Sequence, residues 1–239
     1  MDSMRTASFA VFPGDGFSCL LLIAFLVTTA HAATYTTSFP LTENPISENA
    51  NWINGKTTGL DWSDFSSTPG LAIGLQHGPS GYDDSVAILT GNWKPDQMAQ
   101  ATVHTVRQND AFVEELELRL RSSISAHNST GYEIMFRCSK TPEAYVSIAR
   151  WNGPLNDFTI LTHHSGSQYG VANGDVIKAT IVGNLIRVYK NGIQIDQVTD
   201  DEYRTGSPGI GAYIEKTTGV NGDYGFTSFT ASDDPIHDK

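Results

Sequence analysis

Carboxylates and guanidinium groups alternate with leucines in the run Glu114-Glu115-Leu116-Glu117-Leu118-Arg119-Leu120-Arg121. Successive side chains of a β-strand point to opposite faces, so Phe112, Leu116, Leu118 and Leu120 share one face and Glu115, Glu117, Arg119 and Arg121 the other. Residues two apart on a strand lie about 7 Å apart on the same side. Glu115 and Glu117 can therefore bring their carboxyl groups into the separation of about 5–5.5 Å that retaining glycosidases use. The following stretch repeats the alternation, with Glu133 and Arg137 opposite Ile134 and Phe136, and a later one adds Arg150 and Trp151. Carboxylates, guanidinium groups and an aromatic ring on one surface can hydrogen-bond sugar hydroxyls and stack on the C–H faces of sugar rings. The same residues can also pair across neighbouring strands as a solvated ladder without a ligand. The candidate carbohydrate contacts are Glu115, Glu117, Arg119, Glu133, Arg137, Arg150 and Trp151.

These residues need strands to position them, and the chain supplies strand signals throughout. The runs 176–182, 185–190 and 193–198 alternate apolar and polar residues and are joined by Gly183-Asn184 and Asn191-Gly192. Asn-Gly between β-branched runs marks a hairpin, because a type I′ turn needs positive φ at both central residues. Further strands are expected at 34–39, 85–90, 101–107, 111–121, 132–138, 144–151, 157–163, 210–214 and 224–231. No window sustains helical periodicity. A dozen short strands at this spacing predict an all-β sandwich or barrel, in which two sheets bury their apolar faces against each other. Leu118→Ala is then a core truncation costing about 2–5 kcal/mol, whereas Arg121→Ala on a wet face should cost about 0–1 kcal/mol.

Arg5, the apolar stretch 19–27 and Ala30-His31-Ala32 form a signal-peptide pattern at 1–32, cleaved after Ala32. A single domain at 33–234 and a mobile tail at 235–239 follow. The expected location is extracellular or periplasmic. The mature chain then keeps one cysteine, Cys138, whose alternation with Ile134 and Phe136 makes it a buried hydrophobe. A net charge of −11 argues against nucleic acid and anionic membranes as partners, since both need a basic footprint. A monomer that meets a polysaccharide or glycan is expected. The turns holding Asp83-Asp84, Asp200-Asp201 and Asp233-Asp234 offer the hard oxygen ligands calcium takes, but none has the spacing of a complete loop site. The expectation is no cofactor and no metal at the site, with structural calcium left open. His163 and His164 point to opposite faces and read as a surface pair. Asn128-Ser129-Thr130 is a glycosylation sequon in the turn after the Glu/Arg strand.

The pattern from Gly174-Asp175 through Tyr189-Lys190-Asn191-Gly192 to Gly206-Ser207-Pro208-Gly209, closed by residues 226–231, resembles the second half of concanavalin A-like jelly rolls. These include laminin G-like domains, legume-type lectins, laminarinase-type glycoside hydrolases and jelly-roll polysaccharide lyases. The resemblance implies an antiparallel two-sheet jelly-roll β-sandwich with a concave face that binds glycans. Laminarinase-type enzymes carry Glu-x-Asp-x-Glu, whereas this run has no middle Asp and places Arg119 after Glu117. The lyases use an Arg with His and Tyr, for which Arg119, Arg121, Arg137, His104, His163, His164 and Tyr189 are available. The function expected is a non-catalytic, lectin-like carbohydrate-binding domain. The alternatives are a polysaccharide lyase or glycoside hydrolase on the same face, and a structural or adhesion module.

Overall fold

The computed structural model describes residues 32–76, 84–108, 113–215 and 220–235. The expected signal segment, apart from Ala32, lies outside them, as do Phe112, Asp83 and residues 236–239 of the tail. The strands are β1 (Thr34–Thr37), β2 (Trp52–Asn54), β3 (Phe65–Thr68), β4 (Leu71–Gly74), β5 (Ser85–Leu89), β6 (Gln97–Thr105), β7 (Val113–Ser125) and β8 (Asn128–Arg137). They continue with β9 (Tyr145–Gly153), β10 (Phe158–Ser165), β11 (Val176–Val182), β12 (Leu185–Lys190), β13 (Ile193–Thr199), β14 (Ser207–Glu215) and β15 (Tyr224–Ser232). They build two antiparallel sheets, one ordered β13-β12-β11-β6-β15-β4-β3 with β1 paired to β15, the other β10-β9-β8-β7-β14-β5-β2. The chain is an all-β jelly-roll sandwich.

The meander forms as its alternation requires. Ile177, Ala179 and Ile181 of β11 are fully buried with Ile186 and Val188 of β12, and Asn191 and Gly192 both adopt positive φ in the turn to β13. From the facing sheet, Leu116, Leu118 and Leu120 of β7 and Tyr132, Ile134 and Phe136 of β8 enter the same core. Cys138 is buried there as a free thiol. Trp52 is buried as well, its ring edge-on to Tyr35 and its indole N–H donated to Glu48.

A second apolar cluster lies on the other face of the seven-stranded sheet. Val86 and Ile88 of β5 sit opposite Gly211 and Gly209 of β14, and Leu60, Trp62, Ile124 and Trp151 close over them. A segment of loop and 3₁₀ turn (Lys56–Thr58) thus crosses a surface that alternation alone assigns to solvent. Such a cover is what converts polar outward positions into buried ones.

Arg121 departs from its expected place. A bulge between Leu120 and Ser123 breaks the alternation, and Arg121 takes a φ of 47°. Its side chain leaves the Glu115–Arg119 row, is buried, and donates to the carbonyls of Pro95 at 2.6 Å, Tyr203 at 2.9 Å and Gly183 at 2.7 Å. It closes three loops at one end of the sandwich instead of facing water. Removing it leaves three carbonyls without their donor, so Arg121→Ala should cost at least about 3 kcal/mol, comparable to the about 2–5 kcal/mol of Leu118→Ala. Arg204→Ala, at an exposed side chain, should stay below about 1 kcal/mol in the same denaturant melts.

Candidate functional site

Strand pairing places Glu115 opposite Arg137, Glu117 opposite Met135 and Arg119 opposite Glu133, all on the face of β7 and β8 turned away from the main core. The alternation of β7 therefore holds over these residues. The solvated ladder does not, because Glu115, Glu117, Arg119 and Glu133 are all buried. Arg119 Nη2 lies 2.5 Å from Glu117 Oε2 and 2.5 Å from Glu133 Oε2. Its guanidinium sits under the Trp62 ring, 4.9 Å from the centroid. Trp151, on β9, packs edge-on to Trp62 and donates its indole N–H to Glu133 Oε2 at 2.5 Å.

Glycine makes this packing feasible. A Cβ on Gly211 of the adjacent β14 would stand 2.0 Å from Glu117 Oε2, so only glycine leaves room for that carboxylate. Asp84, Glu117 and Glu133 each bring one carboxylate oxygen within 4.8 Å of the other two, a spacing that could hold a cation. The cation that the chain itself supplies there is the Arg119 guanidinium. Glu117 Oε1, Arg119 Nε and the Trp62 indole N–H have no hydrogen-bond partner among the described residues.

Beside this buried knot lies a cavity of about 300 Å³. The sheet lends it Glu115, Glu133, Met135 and Ser147, with Asp84 from the start of β5. Trp151, Phe158, Tyr145 and Tyr213 line it with aromatic surface, and Ile160 and His163 of the edge strand β10 complete the rim. Tyr145 donates its hydroxyl to Glu115. The rings of Tyr145 and His163 are 5.3 Å apart, and His163 Nδ1 shares a 2.7 Å hydrogen bond with Ser147 Oγ.

The remaining candidates are dispersed. Arg137 lies 5.9 Å over the Tyr145 ring and donates to the Glu143 carbonyl, next to the cavity rather than among its lining residues. Arg150 is off this face. It neighbours Trp151 in sequence, so the two side chains must point to opposite faces, and it pairs with Asp200 at 2.5 Å on the far side of β9. The two histidines separate in the same way, His163 lining the cavity and His164 reaching Asp196 at 3.1 Å. His104 and Tyr189 belong to strands of the other sheet. Of the lining residues, Tyr145, Ser147 and Trp151 share a face in the alternation of β9, whereas Tyr213 reaches the cavity through the pairing of β14 with β7, and Trp62 reaches the neighbouring Arg119 cluster through a loop crossing that no local pattern encodes.

No protein-family model matches this sequence, and no curated protein resembles it closely enough to count as a relative. Its two-sheet jelly-roll architecture is shared with solved structures. The exoplasmic/lumenal domain of VIP36 in its Ca2+/Man-bound form is similar in fold at a TM-score of 0.56, with 12% identity over 82% of this chain and 88% of that one. The carbohydrate-binding module CBM66 of Bacillus subtilis is similar at a TM-score of 0.51, with 13% identity over 72% of this chain and 96% of that one. At such identities the likeness is one of fold.

Burial sets the protonation of the site. It lifts the Glu115 carboxyl to about 8, with the Glu133 carboxylate adding to the rise. Glu117 is pushed well above the ordinary range for the same two reasons, and Glu133 is raised by burial although Arg119 opposes this. On the opposite face of β7, burial lifts Glu114 to about 7, with Asp223 contributing. A carboxyl whose folded pKa exceeds its unfolded value keeps a proton that the unfolded chain releases, so its contribution to stability is full below the unfolded pKa and is lost as pH rises through the folded one. From the ordinary 4.5 to the lifted values near 7 and 8, Tm should fall with rising pH, and Glu115→Gln should flatten the upper part of that decline. Differential scanning calorimetry from pH 4.5 to 9 checks this, and a Tm that climbs toward pH 8 would contradict it.

Proposed function

We propose that this protein is a non-catalytic carbohydrate-binding domain, secreted by its host, that takes a glycan in the cavity beside the Arg119 cluster. The observation that carries the reading is the cavity itself, about 300 Å³ with aromatic walls and carboxyl groups on one side. Small-ligand sites are concave, mainly apolar and furnished with a few convergent polar groups, with volumes from about 300 to 1,000 Å³. Sugars fit that description through their C–H faces and their hydroxyls. The contacts proposed are Glu115, Glu133 and Trp151, with Tyr145, Phe158 and Tyr213 added from the geometry. Glu117 and Arg119 support the site from beneath, and Arg137 stands beside it. The fold agrees with this reading, being similar to that of the VIP36 exoplasmic/lumenal domain in its Ca2+/Man-bound form and of a carbohydrate-binding module.

Retaining hydrolysis fits less well. Its second carboxyl must reach the anomeric carbon of the substrate, and Glu117 is fully buried and held by Arg119. Glycan-array and calorimetric titration of the purified chain should therefore give binding, with Trp151→Ala weakening it at least about tenfold, the scale expected for losing one aromatic anchor. Polysaccharide incubations should release neither reducing ends nor unsaturated products absorbing in the ultraviolet. Turnover of any of them would replace the binding reading with an enzymatic one.

A further inference from the structure

Within that glycan-binding reading, we infer that the cavity takes the terminal residue of a glycan chain and not a stretch from the chain's interior. An interior stretch must both enter and leave, so it needs a groove open at two places, whereas a terminal residue needs one opening. Across the sheet, toward β14 and β5, such a groove would run over Gly211 and Val86, which pair side by side and next to Glu117. Glu117, Val86 and Ile88 are buried there, and Leu60 and Trp62 close over them. Trp62 is itself only 2% exposed and rests on the Arg119 guanidinium, so that route is filled.

Along the strands, Trp151 stands at one end, in contact with Trp62 at 4.5 Å and with Phe158 at 5.0 Å. At the other end stand Tyr145, tied to Glu115 through its hydroxyl, and Tyr213, paired opposite Glu115. The remaining side is β10, the last strand of its sheet, where Ile160 and His163 line the cavity and are exposed. Among the described residues the cavity is therefore a blind one whose mouth lies over β10. Its volume of about 300 Å³ is at the lower end of the range of about 300–1,000 Å³ for small-ligand sites, which suits a short piece of a chain. The polar groups inside it, Glu115, Glu133 and Ser147, are buried. A site built to hydrogen-bond a hydroxyl discriminates strongly against a ligand that lacks it. A terminal residue keeps a hydroxyl that an interior residue has given up to its second linkage.

The test is isothermal titration with the dimer, tetramer and hexamer of glucose, of mannose and of galactose, and with the same lengths of any other sugar that a glycan array selects. For the sugar that binds, the molar affinity should change less than about threefold from dimer to hexamer, because one residue makes the contacts. A rise of about tenfold or more with length would reveal a continuous groove and overturn the inference, while leaving glycan binding intact. Borohydride opens the ring at the reducing end alone, so binding that survives it assigns the non-reducing end and binding that is lost assigns the reducing end. Ile160→Lys at the mouth should weaken all three lengths by the same factor, at least about fivefold. Ile193→Lys, at another exposed isoleucine on the edge strand β13 of the other sheet, should leave binding unchanged. Both positions are exposed, so both variants should fold. Unchanged binding in Ile160→Lys, or a larger loss for the hexamer than for the dimer, would also overturn the inference. Binding of none of these oligomers, nor of any array glycan, would remove the glycan reading and the inference together.

Discussion

The Arg119 guanidinium, shared at 2.5 Å by Glu117 and Glu133, is the contact on which the outer face of the seven-stranded sheet depends. A buried charge is costly unless it is paired, and a buried pair loses much of its Coulombic gain to desolvation. Here burial itself lifts both acids, Glu117 with the Glu133 carboxylate adding to the rise and Glu133 against the pull of Arg119 and of the Trp151 indole N–H. The surroundings are fitted to that arrangement. Gly211 leaves the volume that Glu117 fills, Trp62 covers the guanidinium, and Trp151 gives its indole N–H to Glu133.

The consequence is a sheet whose outer face has two parts. Toward β5 the apolar cluster of Leu60, Trp62, Val86 and Ile88 seals it, and toward β10 it opens into the cavity rimmed by Phe158, Ile160 and His163. Trp151 belongs to both parts, packed against Trp62 at 4.5 Å and Phe158 at 5.0 Å. The charged knot and the cavity thus share Glu133 and Trp151, so that the protonation of the one bears on the electrostatics of the other. A jelly roll offers this face to many chemistries, and the side chains on it, not the fold, decide which is used.

Much of the architecture is written locally. The Asn191-Gly192 turn, the leucine alternation of β7 and the apolar faces of β11 and β12 follow from steric preferences and a two-residue period, both of which short stretches carry in full. The shared face of Glu115, Glu117, Arg119, Glu133 and Arg137 follows from the same period. Arg150 and Trp151 illustrate the limit in the other direction, since adjacent residues on one strand cannot share a face and only Trp151 reaches the cavity.

What the amino-acid order by itself determined is therefore which side chains are co-facial within a strand. What the tertiary structure decided is whether a face is wet. Burial of Glu117 and Arg119 arises from a loop that crosses the sheet with Trp62, and burial of Arg121 from a bulge that turns it onto carbonyls of three separate segments. The aromatic wall is assembled from the consecutive strands β9 and β10 together with β14, which lies between β7 and β5, both far from it in the chain. Such contacts join distant residues through packing and long-range pairing, so no local period or spacing can announce them.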